Sequence, residues 1–198
     1  MRITERFNDV RSKNVPAGAV RILILLILIT TNIGTTYAIG TRPWYASGFE
    51  KLGFFVFDPP MAMKDFLVIG LGGASKTRAS AKGNIVLLNF WATWCPPCKE
   101  EMPSIESLYV KMKGKKFEIM AINLGDSVAD VKAFIKEHGY TFPAYLDPQD
   151  KLSSGYAGQG IPTTYILDKQ GRFIAGVVGG VDYSKPEIVN LLSALAEQ

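Results

Sequence analysis

Apolar and polar positions fall into blocks along this chain, and the period of each block differs. Ile22 to Ile29 is an unbroken Ile/Leu run, continued in softer form from Thr30 to Ala38. Arg21 and Arg42 bracket 20 residues without a charge. A bilayer-spanning helix takes about 20 apolar residues, so this segment is long enough. The basic flank before it predicts that the flank stays in the cytoplasm and the rest of the chain crosses. Thr36-Tyr37-Ala38 also resembles a small-x-small cleavage site, so an uncleaved anchor and a cleaved signal peptide both remain open. Either would carry the following domain out of the cytoplasm. The expected organisation is a basic cytoplasmic flank at 1–21, an anchor or signal segment at 22–41, a linker at 42–60 whose aromatics either ride the membrane interface or cover the edge of the domain, and one folded domain at 61–198.

Within that domain the patterns alternate between strand and helix. Phe66 to Ile69, followed by Gly70-Leu71-Gly72-Gly73, reads as a strand and turn. Ile85 to Trp91 is apolar throughout except for Asn89, which suits a strand buried on both faces. Met102, Ile105, Leu108, Tyr109 and Met112 form one stripe at helical spacing, ended by Gly114. Phe117 to Ile122 is the next buried strand. Ser127 and Asp130 form a capping-box-like start for a helix with Val128, Val131, Phe134 and Ile135, closed by Gly139. Phe142–Leu146, Thr163–Leu167 and Phe173–Val178 read as strands. Asp168 to Gly171 is the hairpin turn between the last two. Ser184 and Glu187 suggest a second capping box, opening a helix that runs to about Glu197. Strands that first alternate with helices and then pair as a hairpin define an α/β fold with a mixed sheet.

Composition narrows the function. The chain has 198 residues, 47% hydrophobic and 20% charged, which is the balance of a folded domain. Its formal charge is +4, of which +3 lies in residues 1–39. The body is nearly neutral and has no basic footprint for nucleic acid. The glycines at 70–73 lack the GxGxxG spacing of a dinucleotide site. With two Cys and one His, there is neither a disulfide scaffold nor a four-ligand Cys/His zinc site.

Both cysteines are used in one motif, Trp94-Cys95-Pro96-Pro97-Cys98. It follows a buried strand and opens a helix. A helix N-terminus carries unpaired N–H groups and partial positive charge, which stabilise a thiolate. The two-residue spacing lets the second sulfur resolve a mixed disulfide made by the first. Pro96 and Pro97 remove two N–H donors beside Cys95, which argues against a very strong oxidant. His138 fits a surface position near a helix C-terminus.

Asn89 to Lys99 resembles the active-site strand and helix of the thioredoxin family. Gly160-Ile161-Pro162-Thr163-Thr164 resembles that family's cis-proline loop. Cys98-Lys99-Glu100-Glu101-Met102-Pro103 is similar to the membrane-tethered TlpA/ResA/CcmG branch. The resemblance covers residues 60–198. It implies a thioredoxin fold, with Cys95 as the attacking, exposed thiol and Cys98 as the more buried resolving thiol. It also implies Pro162 as the cis-proline, with Ile161 offering backbone groups to a substrate strand and Trp94 covering the site. Where cytosolic thioredoxins carry a buried Asp, this chain has Asn89, which cannot take a proton at neutral pH. Glu101, one turn beyond Cys98 on the same helix face, is the implied substitute.

The function implied is an extracytoplasmic protein-disulfide oxidoreductase. It would reduce disulfides of partner proteins, with cytochrome c maturation as one setting, and be recharged by a membrane thiol electron donor. It would work as a monomer with no cofactor and no metal. An oxidase or isomerase uses the same residues and stays open. A copper(I) carrier is the other alternative, although the CxxxC spacing and additional His of such carriers are missing. A thiol peroxidase would need a lone Cys after a Pro/Thr motif, which is absent.

Overall fold

A strand that is apolar on both faces belongs in the middle of a sheet, and Ile85–Trp91 lies there. The structure, a computed structural model, describes residues 41–198. The basic flank and residues 22–40 of the apolar segment lie outside the described residues. Among those that are described, no helix is long and apolar enough to cross a membrane. In chain order the elements are α1 (Ala46–Lys51), β1 (Phe55–Ala62), β2 (Leu67–Gly70), β3 (Ser75–Thr77), α2 (Arg78–Ala81), β4 (Ile85–Trp91), α3 (Pro96–Lys111), β5 (Phe117–Asn123), α4 (Val128–His138), β6 (Ala144–Leu146), α5 (Lys151–Tyr156), β7 (Thr163–Leu167), β8 (Arg172–Val178) and α6 (Pro186–Glu197). The strands form one sheet in the order β1-β8-β7-β4-β5-β6-β2-β3. β4, β5 and β6 run parallel, while β7, β8 and β1 continue antiparallel from β4. This is the mixed α/β sheet expected from the sequence.

Side-chain parity divides the core into two layers. On β4, Ile85, Leu87 and Trp91 pack with Met102, Ile105 and Leu108 of α3 and with Ile188 and Leu192 of α6. Val86, Leu88 and Phe90 face the other way, onto Met63, Phe66, Val68, Leu152 and Phe173. Asn89 has the parity of Leu87 and Trp91, and Thr164 on β7 has that of Ile166, which packs in the same layer. Both polar side chains are therefore directed into the layer that holds α3.

Three expectations need correction. Residues 42–60 are more than a linker: they carry α1 and most of β1, and Phe49 and Phe54 are core residues. β1 is an edge strand, so Pro59 and Pro60 cost it no internal ladder bonds. Ser184 is not an N-cap. Lys185 holds that position without a side-chain cap, Pro186 fills the first turn, and the Ser184 hydroxyl donates to Asp182 Oδ1 instead. The strand expected at 142–146 is shorter, with Phe142 buried ahead of it. Ser127 does cap α4, its oxygen accepting from the Asp130 N–H, and Gly139 closes that helix in the left-handed region.

Candidate active site

Chain direction builds the site. β4 ends at Trp91, a short turn follows, and α3 begins at Pro96. Cys95 is the residue that caps α3. Prolines at 96 and 97 have no N–H, so Cys98 supplies the first N–H able to face the cap. That N–H lies 3.3 Å from Cys95 Sγ. The two sulfurs are joined as a disulfide. Across the gap, Cys95 Sγ is 3.7 Å from the carbonyl oxygen of Ile161. The Ile161–Pro162 peptide is cis, as the resemblance implied, and so is Asp58–Pro59. Gly160 enters that loop at φ +117°, a conformation that L side chains rarely adopt.

Cys95 is more enclosed than expected. It is 4% exposed against 0% for Cys98. The order of burial holds, but both sulfurs are sheltered: the Ile161 carbonyl lies over Cys95, and Cys98 sits on the core face of α3. Trp94 is 64% exposed. It is therefore no core aromatic and presents apolar surface to solvent beside the cysteines.

Glu101 is buried, at 4% exposure. It lies on the α3 face that carries Cys98, Met102 and Ile105. Asn89 Nδ2 donates to its Oε1 at 2.7 Å, and the Val181 N–H donates to its Oε2 at 3.2 Å. Burial pushes the carboxyl up from 4.5 to about 7, against the lowering effect of these two bonds. Tyr183 is fully enclosed nearby, and burial together with the Glu101 charge raises its phenol well above the ordinary value. The loop after β8 is fixed to α3 through Ser104, whose hydroxyl donates to Glu101 O and accepts from the Tyr183 N–H. An acidic cleft of about 660 Å³, lined in part by Glu100, Glu101 and Asp182, separates that loop from α3. A proton on Glu101 thus has a route to water.

Sequence reasoning missed two participants. Asn89 was read only as a lost acid, yet it holds Glu101. Its parity on β4 was the available signal. Asp126 gave no signal at all. Its carboxylate accepts from the Thr93 N–H at 2.8 Å, the Thr93 hydroxyl at 2.7 Å and Asn123 Nδ2 at 2.8 Å, fixing the turn that carries Trp94 and Cys95. Asp126→Ala strands the Thr93 N–H and is expected to cost about 1–3 kcal/mol. Urea unfolding should show the shift, and an unchanged midpoint would reduce the contact to a surface feature.

A sheet of this topology, with a CxxC pair capping a helix beneath a cis-proline loop, defines a thioredoxin-like protein-disulfide oxidoreductase. The comparisons agree. The AhpC/TSA family matches residues 60–175. The chain is 33% identical over 163 residues to the thiol-disulfide oxidoreductase ResA of Bacillus cereus, covering 80% of this chain and 86% of that one. Among solved structures, it is similar to StoA from Bacillus subtilis, with 28% identity and a TM-score of 0.57. That match covers 66% of this chain and 99% of StoA. A DsbF homologue from Corynebacterium diphtheriae matches at 26% identity and TM-score 0.61, covering 72% and 92% of the two chains. The chain belongs to the AhpC/TSA family, and within it to thiol–disulfide oxidoreductases of the ResA type.

Proposed function

We propose that this oxidoreductase works outside the cytoplasm and reduces disulfides of partner proteins. The observation that carries the reading is the Cys95–Cys98 pair at the N-terminus of α3, with Ile161 on one side and Glu101 buried on the other. In the working direction the pair starts as a dithiol. Cys95, as thiolate, attacks a partner disulfide; one partner sulfur leaves as a thiolate and a mixed disulfide forms. Cys98 then attacks the Cys95 sulfur. The Cys95–Cys98 bond closes and the second partner sulfur leaves. The Cys98 proton goes to Glu101 and from there through the acidic cleft to water. Two electrons pass to the partner, and a membrane thiol donor must return them.

Ile161 and Pro162 would offer backbone to the partner strand, and Trp94 apolar surface. The location rests on the uncharged stretch at 22–41 behind its basic flank. The single Cys98 N–H facing Cys95 supports a reductant over a strong oxidant, because few donors stabilise the thiolate. Cytochrome c maturation is the setting that the sequence resemblance favours.

The test is thiol trapping in cells. A membrane-impermeant maleimide should label Cys95, the attacking thiol, in intact cells, with most of the protein reduced. A mostly oxidised pair would turn the reading to an oxidase. Labelling only after lysis would place the domain in the cytoplasm.

A further inference from the structure

Asn89 is fully buried in β4, and its amide is used unevenly. Nδ2 donates twice, to Glu101 Oε1 at 2.7 Å and to Thr164 Oγ1 at 2.9 Å. Oδ1 is buried and accepts nothing. A buried acceptor without a partner is costly and asks for an explanation. Glu101 supplies one. As a carboxylate it can only accept, and it is served by Asn89 Nδ2 and the Val181 N–H. Once protonated it must also donate. Both of its oxygens face donors, so neither present partner can accept the proton of the acid. A half-turn of the Asn89 amide about its last torsion would bring the idle Oδ1 to the Glu101 O–H.

We infer that Asn89 is a positioning residue for the proton of Glu101: its amide donates to the carboxylate and, turned over, accepts from the acid. An Asp here could not stabilise the charged state, because two carboxylates would face each other. An aliphatic side chain could serve neither state. This inference rests on the reading of Glu101 as the group that takes the Cys98 proton.

Other ionisable groups are accounted for. On α3, Glu101 neighbours Glu100 and Cys98, the latter locked in the disulfide. The loop after β8 brings Asp182 to the same cleft and Tyr183 close enough to sense the Glu101 charge. β4 and β7 bring only the neutral Asn89 and Thr164 to it. No basic side chain lines the cleft among the described residues.

The test titrates the Glu101 carboxyl carbon by NMR in the oxidised full-length protein, where no thiol titrates. Asn89→Ala should move the midpoint up by about one pH unit, a tenfold change in the ionisation constant. Asn89→Asp, nearly the same shape, should move it further. The wild-type Asn89 side-chain amide signals should shift with the same midpoint, and that response should vanish in Glu101→Gln. An unmoved midpoint in both Asn89 variants, or amide signals indifferent to pH, would overturn the inference. Should Asn89→Ala fail to fold, Asn89→Asp and the wild-type amide titration decide alone. The pH dependence of exchange in Glu101→Gln tests the underlying reading separately. If that profile is unchanged while the NMR midpoints move as stated, Asn89 governs an ionisation that the reaction does not use.

Discussion

Replacing Cys98 by Ser is expected to arrest the protein as a covalent adduct with its partners. The first attack, by Cys95, does not need Cys98. The second attack does, because only a sulfur joined to Cys95 through two intervening residues lies close enough to displace it; the two Cα atoms are 5.3 Å apart. Turnover should fall to background, while mixed disulfides through Cys95 accumulate on non-reducing gels and dissolve with dithiothreitol. Cys95→Ser should form no such adduct. If Cys98→Ser turns over at the wild-type rate, resolution comes from another thiol and the assigned roles fail.

The second large effect concerns Glu101. Its folded-state pKa, about 7, lies above the ordinary 4.5. The native state therefore holds a proton that the unfolded chain has lost. Glu101's own contribution to stability is fully present below pH 4.5 and is lost as pH rises towards 7, by roughly 3 kcal/mol over that window. Glu101→Gln cannot ionise, so this slope should be missing from its denaturation curves. Its resolution step should slow by about 10²-fold, as for the loss of a positioned base. The inflection of the exchange rate near pH 7 should disappear. A Glu101→Gln protein that keeps the wild-type pH–rate profile would leave the proton to water.

Much of this was legible in the chain, for physical reasons. A run like Ile85–Trp91 has few places to go except the centre of a sheet. The CxxC that follows, with prolines suited to a first helical turn, marks where the next helix begins. Glu101 was reachable through the family resemblance, and three residues along a helix place it on the face of Cys98. Pairs that depend on how elements pack were not reachable. Asn89 and Glu101 are 12 residues apart, and Thr93 and Asp126 are 33 apart; both pairs exist because α3 and β5 lie against β4. The 42–60 stretch was misjudged because β1 is an edge strand with no regular burial alternation, so its periodicity carries no strand signal. Cys95 was expected to be exposed because helix position alone does not reveal a loop 66 residues away closing over it.

A single-turnover reaction tests the central claim most directly. The full-length protein, reduced and then freed of reductant, is mixed with a disulfide-bonded protein substrate and quenched in acid. Each substrate disulfide cleaved should yield two substrate thiols and one Cys95–Cys98 disulfide, located by mass spectrometry, with Cys95→Ser giving neither. Substrate reduced without that disulfide forming, or reduced equally well by Cys95→Ser, would contradict the account.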